Sequence, residues 1–552
     1  MVFTGVFAFA LCFAAYTQHA WEDYYITYRV SKNLATGHGL VYTIGEKVHA
    51  FTSPLNVLLP AVLSLITGNT SDDIVLWLFR VLCCSLLGAA AVLLFDAARK
   101  NCLTLGAASV LIGMFGLDAK IVDFSINGQE IAFMMFFLAL AFDALSARSR
   151  WTGVKLGLAW AGLMWTRPDG FVYFGAAALG FLLFDAGRSV GESRLGLLKI
   201  FLWAGAITTV LYLPWVLWAW HYYGSPIPHS VTSKGYVLRY LPSVQNGSLK
   251  LGFVLLSVLT FPFRMLLGRT AADQTFMPIY SFYGGWPHAA LLWSKWFSCL
   301  CALYWCLPFG RPQGRAFSFA FMLSLLYLTE VPEFPRPWYL PNAAVLGIFA
   351  FAHIVQQGFD FARALKDKWG FLCRPLTNLV RVMAASILCI TLLLTAASAR
   401  QLRVQQREIE EGNRKQIGLW LRQNAASAAD TVCLEPLGYI GFFSQLKMLD
   451  YPGISAPEVV AVLKKFRSGP FPFTVIIGEL VPDWLVLRPW EVAEVGKNIP
   501  LTPLYDPVKT FDVSERVKSY RWLPGRDYLQ CDQTFIVFRR NKNFKLVRGP
   551  AS

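Results

Sequence analysis

Trp21-Glu22-Asp23-Tyr24-Tyr25-Ile26-Thr27-Tyr28-Arg29 follows a run, Met1 to Tyr16, that carries no charged side chain. An acidic pair therefore stands where a hydrophobic segment leaves a bilayer. Carboxylates there are unfavourable unless solvated, paired or put to use. Helical spacing sets Glu22, Tyr25, Arg29 and Lys32 on one face and Ile26, Val30 and Leu34 on another. The stretch is predicted to form an amphipathic helix lying along the membrane rather than crossing it. Met1 to Tyr16 lacks a basic start, and Thr17-Gln18-His19-Ala20 is a poor cleavage site, so this run reads as a retained first helix.

Composition agrees with a membrane protein of many spans. Of 552 residues, 55% are hydrophobic and only 15% charged, against about 25% charged in a soluble domain. Mean hydropathy is +0.45. The net charge of +16 would suggest a nucleic-acid partner in a soluble protein. In this chain, basic cytoplasmic loops and anionic lipid account for it, and no nucleic-acid partner is expected.

Candidate spans fall near 1–17, 74–97, 102–117, 130–147, 152–166, 170–185, 198–219, 289–309, 316–330, 338–356 and 383–399, about eleven in all, several short for a bilayer about 30 Å thick. If they alternate, the clusters Arg99-Lys100, Arg148 with Arg150, Arg188 with Arg194 and Lys199, Arg311 with Arg315, and Lys366 to Arg381 share one side. The positive-inside rule makes that side cytoplasmic and turns Glu22-Asp23 outward. The apolar stretches 54–67 and 249–267 break the parity. They read as half-inserted or surface helices, or else a partner span lies near 276–288. The outer side then collects Asp118 to Glu130, Thr166 to Gly170, His221 to Tyr240 and Glu330 to Pro341.

The chain divides into 1–399, a membrane part, and 400–552, a charged part of ordinary domain size. In the second part Thr431–Leu434, Trp484–Leu487 and Gln533–Arg539 read as strands and Ala456–Phe466 as a helix, an α/β pattern placed outside the membrane. Trp484, Trp490 and Trp522 are expected to pack its core. Cys433 and Cys531 could pair in an oxidising compartment. No zinc-type spacing, Walker loop or dinucleotide-binding fingerprint is found.

Four groups of residues together resemble one known family. The first is Glu22 to Arg29, then Asn33-Leu34-Ala35-Thr36-Gly37-His38-Gly39-Leu40-Val41-Tyr42, then Ala50-Phe51-Thr52-Ser53-Pro54-Leu55. The second is Asn127-Gly128-Gln129-Glu130 with Thr166-Arg167-Pro168-Asp169-Gly170. The third is Tyr222 to Ser230 followed by Lys234, with Arg336-Pro337-Trp338-Tyr339-Leu340-Pro341. The fourth is Glu435 to Gly441 with Leu449-Asp450. In this order they resemble the bacterial GT-C glycosyltransferases that include the mycobacterial terminal arabinofuranosyltransferases and pilin arabinosyltransferases. Glu22 stands where many relatives carry Asp, Gln129 interrupts a Gly-x-Glu element, and His229 stands where Asn is common.

The resemblance implies a GT-C fold with a C-terminal extracytoplasmic α/β domain in a bacterial inner membrane. It implies transfer of a sugar, arabinofuranose among the candidates, from a polyprenyl-phosphate donor to an envelope glycan, lipid or protein acceptor. The residue types suit that chemistry. A carboxylate base activates an acceptor hydroxyl, with Asp23 the first choice and Glu22 the second. Fixed cations hold a lipid phosphate, a task suited to Lys234, Arg336 and Arg167. Arg29, His49, Thr52, Glu130, Asp169, His229 and Tyr339 are the substrate-binding candidates. Asp169 is placed to pair with Arg167, and Ser53 to cap the helix that Pro54 begins. No metal site is defined by spacing, although a divalent ion such as Mg or Mn is compatible with a phosphate leaving group. A lipid-linked sugar transporter would carry its polar residues mid-membrane with repeat symmetry, and a non-catalytic envelope assembly protein would use the C-terminal part as a binding module.

Overall fold

The computed structural model describes residues 1–146, 148–185, 193–238, 251–278, 281–330, 336–365, 370–466, 471–541 and 543. Arg188, Tyr240, Lys366 and the residues of Glu330–Pro341 that precede Arg336, Glu330 aside, lie outside them.

Helices dominate the first part of the chain. They are α1 (Val2–Thr17), α2 (Glu22–Ala35), α3 (Pro54–Ile66), α4 (Asp72–Lys100), α5 (Leu105–Leu117), α6 (Ala119–Ile126), α7 (Ile131–Ser146), α8 (Thr152–Thr166), α9 (Gly170–Phe184) and α10 (Arg194–Tyr223). Then follow α11 (His229–Leu238), α12 (Leu251–Leu267), α13 (His288–Leu303), α14 (Pro312–Glu330), α15 (Leu340–Ala364) and α16 (Gly370–Val404). Short polar residues start several of them. Ser53, Ser71, Thr104 and Asp118 each accept a backbone N–H of the first turn, which is worth about 1 kcal/mol per cap. Gly224 ends α10 in the left-handed region at φ 76°, where a side chain would be strained.

Among the described residues four helices are long and apolar enough to cross a membrane: α4, α10, the stretch Pro337–Ala364 containing α15, and the stretch Cys373–Asn424 containing α16. Counting each of the bent pairs α1–α2 and α5–α6 as one span brings the number to at most six. The chain is a membrane protein. Helices α7, α8 and α9, with 16, 15 and 15 residues, are shorter than a full span. Helix α3, with 13 residues, is likewise shorter than a full span. No long helix occupies the described part of 276–288, where only the short turn Ser281–Tyr283 forms.

Helix α2 turns 96° from α1, as expected of a helix leaving the bilayer. Its surroundings differ from the expectation. Tyr24, Tyr25, Tyr28, Arg29 and Val30 are all buried, so both faces are covered rather than one facing water. The reason is tertiary: α3 packs on one side and a helix of the C-terminal part on the other.

After α16 the chain continues through Gln405–Arg414 into α17 (Lys415–Asn424). Strands β1 (Thr431–Leu434), β2 (Lys447–Asp450), β3 (Trp484–Leu487), β4 (Tyr505–Asp512) and β5 (Thr534–Arg540) form one sheet in the order β2-β1-β3-β5-β4. Helices α18 (Gly438–Ser444), α19 (Pro457–Lys465) and α20 (Pro472–Leu480) connect its parallel half. Strands β1 and β3 are apolar and buried, as parallel strands covered on both faces must be. Strand β4 is an exposed edge, protected by Pro507, Lys509 and a register shift between them. The predicted strands and helix appear. β2 and β4 lacked a clear pattern, the first because its short run Lys447-Met448-Leu449-Asp450 is bounded by charges and the second because it is an exposed edge. Of the three tryptophans, Trp484 is buried, whereas Trp490 and Trp522 are 53% and 90% exposed, so the last two do not pack the core. Cys433 and Cys531 are both free thiols rather than a bonded pair.

Candidate active site

The corner between α1 and α2 is built from buried polar groups in an apolar setting. Arg80 of α4 donates from Nη2 to the carbonyls of Gln18 and His19, at 2.9 and 2.7 Å, and from Nε to Ile126 at 3.1 Å. His19 Nδ1 lies 2.9 Å from Asp123, which also accepts from Asn127 Nδ2 at 2.9 Å. The Trp21 N–H then donates to the Asn127 carbonyl at 2.9 Å. Each contact satisfies a group that would be unfavourable to bury alone. Together they fix the first turn of α2, and with it Glu22 and Asp23, at a positive helix end. The sequence reading passed over Arg80, His19 and Asp123. The available signal was a charge inside an apolar helical run.

The two adjacent carboxylates face different partners. Glu22 Oε1 accepts the Gly438 N–H at 2.7 Å, and Oε2 lies 3.4 Å from Arg414. Arg414 also holds Glu410 at 2.9 Å and pairs with Asp532. Asp532 in turn meets Arg488 at 2.5 Å, and Arg488 meets Glu435 and Glu491 at 2.7 Å each. Burial pushes the Glu22 carboxyl up to about 8. Arg414 opposes this, and Glu435, Glu410 and Asp23 add to it.

Asp23 is half-buried, and among the described residues no donor satisfies its carboxylate. Burial raises its pKa, Lys234 opposes the rise, Glu130 adds to it and Arg336 opposes it. Three groups far apart in sequence thus act on Asp23 of α2: Glu130 before α7, Lys234 on α11 and Arg336 before α15. All four were candidates from sequence.

A second cluster gathers three further candidates around Glu130. Arg167 donates to Glu130 at 2.5 Å and to Asp169 at 2.9 Å. Its guanidinium also sits 4.4 Å from the centre of the Tyr339 ring. Arg167 is only 5% exposed. The pairing with Asp169 is the one expected. The guanidinium is already engaged by two carboxylates, so it suits positioning Glu130 better than receiving a phosphate.

His49 and His229 lie together, the His229 N–H donating to the His49 carbonyl at 2.9 Å. The His49 ring stacks on Tyr223 at 4.5 Å, and burial pushes its pKa down to about 4, so it is neutral at physiological pH. Among the described residues neither ring nitrogen of His49 has a partner, nor has Nε2 of His229. Thr52 is half-buried beside Ser53, whose side chain caps α3 as expected. Arg29 is turned away from this region. It donates to the Gly441 and Leu446 carbonyls at 2.9 and 3.0 Å and lies over Tyr42, fastening α2 to the C-terminal part. On the membrane face an apolar groove among α8, α9 and α10 is lined by Trp160, Phe171, Phe174 and Tyr212.

Among the described residues no three His, Cys, Asp or Glu side chains converge as a metal site. Glu130 is already engaged by Arg167, and no step is routed through a divalent ion.

Short kinked membrane helices, a buried juxtamembrane helix bearing an acidic pair and a C-terminal α/β sheet define the GT-C membrane-protein fold. The Archaeoglobus fulgidus oligosaccharyltransferase, solved with a tethered acceptor peptide, has this fold. It aligns with a TM-score of 0.54 at 12% identity, over 93% of this chain and 73% of that one. A complex of the same enzyme with Zn and sulfate aligns with a TM-score of 0.53 at 11% identity, over 93% and 72%. In sequence, a terminal β-(1→2)-arabinofuranosyltransferase of Corynebacterium glutamicum is 28% identical over 258 residues, 42% of this chain. The chain spans about a third of that relative's length, 35%. Residues 400–534 match a domain of unknown function, DUF8728.

Proposed function

We propose that the protein is a membrane glycosyltransferase. In this reading it moves a sugar from a polyprenyl-phosphate donor to an envelope glycan, lipid or protein acceptor, at the outer face of a bacterial inner membrane. The observation that carries this is Asp23: a half-buried carboxylate with no hydrogen-bond donor among the described residues, raised in pKa by burial and acted on by the charges of Glu130, Lys234 and Arg336. Asp23 takes the proton of the acceptor hydroxyl as it attacks the anomeric carbon. Lys234 and Arg336 stabilise the charge that grows on the phosphate as the sugar leaves. Glu130, oriented by Arg167, hydrogen-bonds sugar hydroxyls, and His49 with Thr52 and His229 supplies further neutral partners. The apolar groove beside α8 suits the isoprenoid tail. Arabinofuranose is the first sugar to test, because the curated relative is an arabinofuranosyltransferase by name. Residues 400–552 act as an extracytoplasmic domain covering α2.

The test is transfer from synthetic polyprenyl-phosphate arabinofuranose by purified protein in detergent or nanodiscs, comparing wild type with Asp23→Asn. Turnover abolished in the variant supports the reading. Absence of transfer by wild type with arabinosyl and other pentosyl or hexosyl polyprenyl phosphates refutes it.

A further inference from the structure

Trp522 is 90% exposed, the most exposed tryptophan among the described residues, and it sits at φ +53°. A bulky residue in that region is strained, so a rigid surround must hold it there. Three hydrogen bonds do so. Arg400 donates to the Arg521 carbonyl at 2.8 Å, Gln401 donates to the Gly525 carbonyl at 3.3 Å, and the Gly525 N–H donates to the Gly285 carbonyl at 2.9 Å. Next to it, Leu523 is buried with Val404 and Val517. The backbone is tied down on both sides while the indole is presented outward.

What it is presented to follows from the anchors. Arg400 is the first charge after the apolar stretch Val382–Ala399 of α16. Arg403 lies over Tyr16, 4.7 Å from its ring centre, at the end of α1. Basic and aromatic residues at the ends of hydrophobic helices mark the headgroup layer. Trp522 follows Arg521, whose carbonyl Arg400 holds, and so is set at that level, where Arg400, Arg403 and Arg521 are exposed.

We propose that Trp522 inserts into the headgroup layer of the bilayer and that Arg400, Arg403 and Arg521 bind anionic lipid phosphates. An indole buries its apolar ring and keeps its N–H wet, which suits this layer. The contact pins the C-terminal part to the membrane surface and so holds Arg414 and Gly438 over Glu22.

The experiment uses full-length Trp522→Cys, in a background with the exposed Cys12, Cys102, Cys306 and Cys389 changed to Ala, labelled with NBD. The protein is placed in phosphatidylglycerol nanodiscs whose acyl chains are, or are not, brominated near the headgroup. Ala428→Cys is the control. It lies beyond the far end of the helical stretch Cys373–Asn424, roughly 35 Å along the chain axis from Arg400 at 1.5 Å per residue. The expected result is a blue-shifted emission at 522 that brominated lipid quenches, with no quenching at 428. Equal, unquenched emission at both positions overturns the proposal and leaves Trp522 to water or a soluble partner. A second arm compares wild type with Arg521→Gln. Thermal stabilisation by phosphatidylglycerol over phosphatidylcholine is expected to shrink in the variant, and an unchanged gain overturns the phosphate contact.

Discussion

Glu22 accepts a hydrogen bond from the backbone N–H of Gly438 at 2.7 Å, across 416 positions of sequence. The bond seats the first turn of α2 against α18. A Cβ added at Gly438 would fall 2.0 Å from the Glu22 carbonyl oxygen, so only glycine permits the approach. Successive residues of a helix diverge by about 100°, so with Glu22 turned toward the C-terminal part Asp23 points elsewhere, where the charges of Lys234 and Arg336 act on it. One of the acids holds the site together and the other is open to react.

That division ranks the two substitutions. Asp23→Asn is expected to lower kcat by about 10²–10⁴-fold with donor binding retained, as loss of a general base does. Glu22→Gln keeps a group able to accept from Gly438 and is expected to lose less. Steady-state kinetics of the two purified variants measure this, and the opposite ranking would swap the roles.

Lys234→Ala and Arg336→Ala are each expected to weaken donor use by about 1.5–3 kcal/mol, the worth of a hydrogen bond to a charged group. The measurement is the donor KM at saturating acceptor. Normal saturation in both would reduce them to lipid anchors.

The pH profile follows from the same charges. Asp23 must be ionised to act as base, and burial raises its pKa, so the acid limb of kcat/KM is expected above the ordinary carboxylate range. Lys234 favours the ionised form, so Lys234→Met is expected to move that limb to still higher pH.

Stability has two pH-dependent parts of opposite sign. Asp532, which burial alone would raise, is brought down to about 2 by Arg488 and Arg414. Its contribution is present above its ordinary value of 3.8 and is lost as pH falls through about 2. Glu22 is raised instead, so its contribution is full below 4.5 and fades as pH rises through about 8. Thermal unfolding of Glu22→Gln is expected to lose the alkaline decline. Asp532→Ala leaves Arg414 and Arg488 short of a buried partner and is expected to destabilise by roughly 3–5 kcal/mol.

Residues 400–552 contact α2 directly, so an engineered Ala428→Cys in the outward-facing arrangement we propose reacts with a membrane-impermeant maleimide in intact cells. Labelling only after lysis would reverse the orientation and the assignment of the outer side.

The sequence by itself determined the membrane class, the turn of α2 away from the line of α1, strands β1, β3 and β5, and the Arg167–Asp169 pairing. Each is written in a local pattern: an uncharged run, a short apolar stretch bounded by turns, or opposite charges two residues apart. Span lengths were less legible, because an apolar run records hydrophobicity and not whether a neighbour bends the helix, as at Asp118 between α5 and α6. The candidate residues were named from motifs, but their division of labour was not. Only the tertiary structure decided that Glu22 faces Gly438 and Arg414, that Arg29 fastens α2 to the sheet-bearing part, and that Arg167 is already held by Glu130 and Asp169. The physical reason is that hydrogen bonds and ion pairs between positions hundreds of residues apart leave no periodicity in the chain. Burial then sets which carboxylate is raised, neutralised or open, and burial is a property of what packs above a residue rather than of the residues beside it.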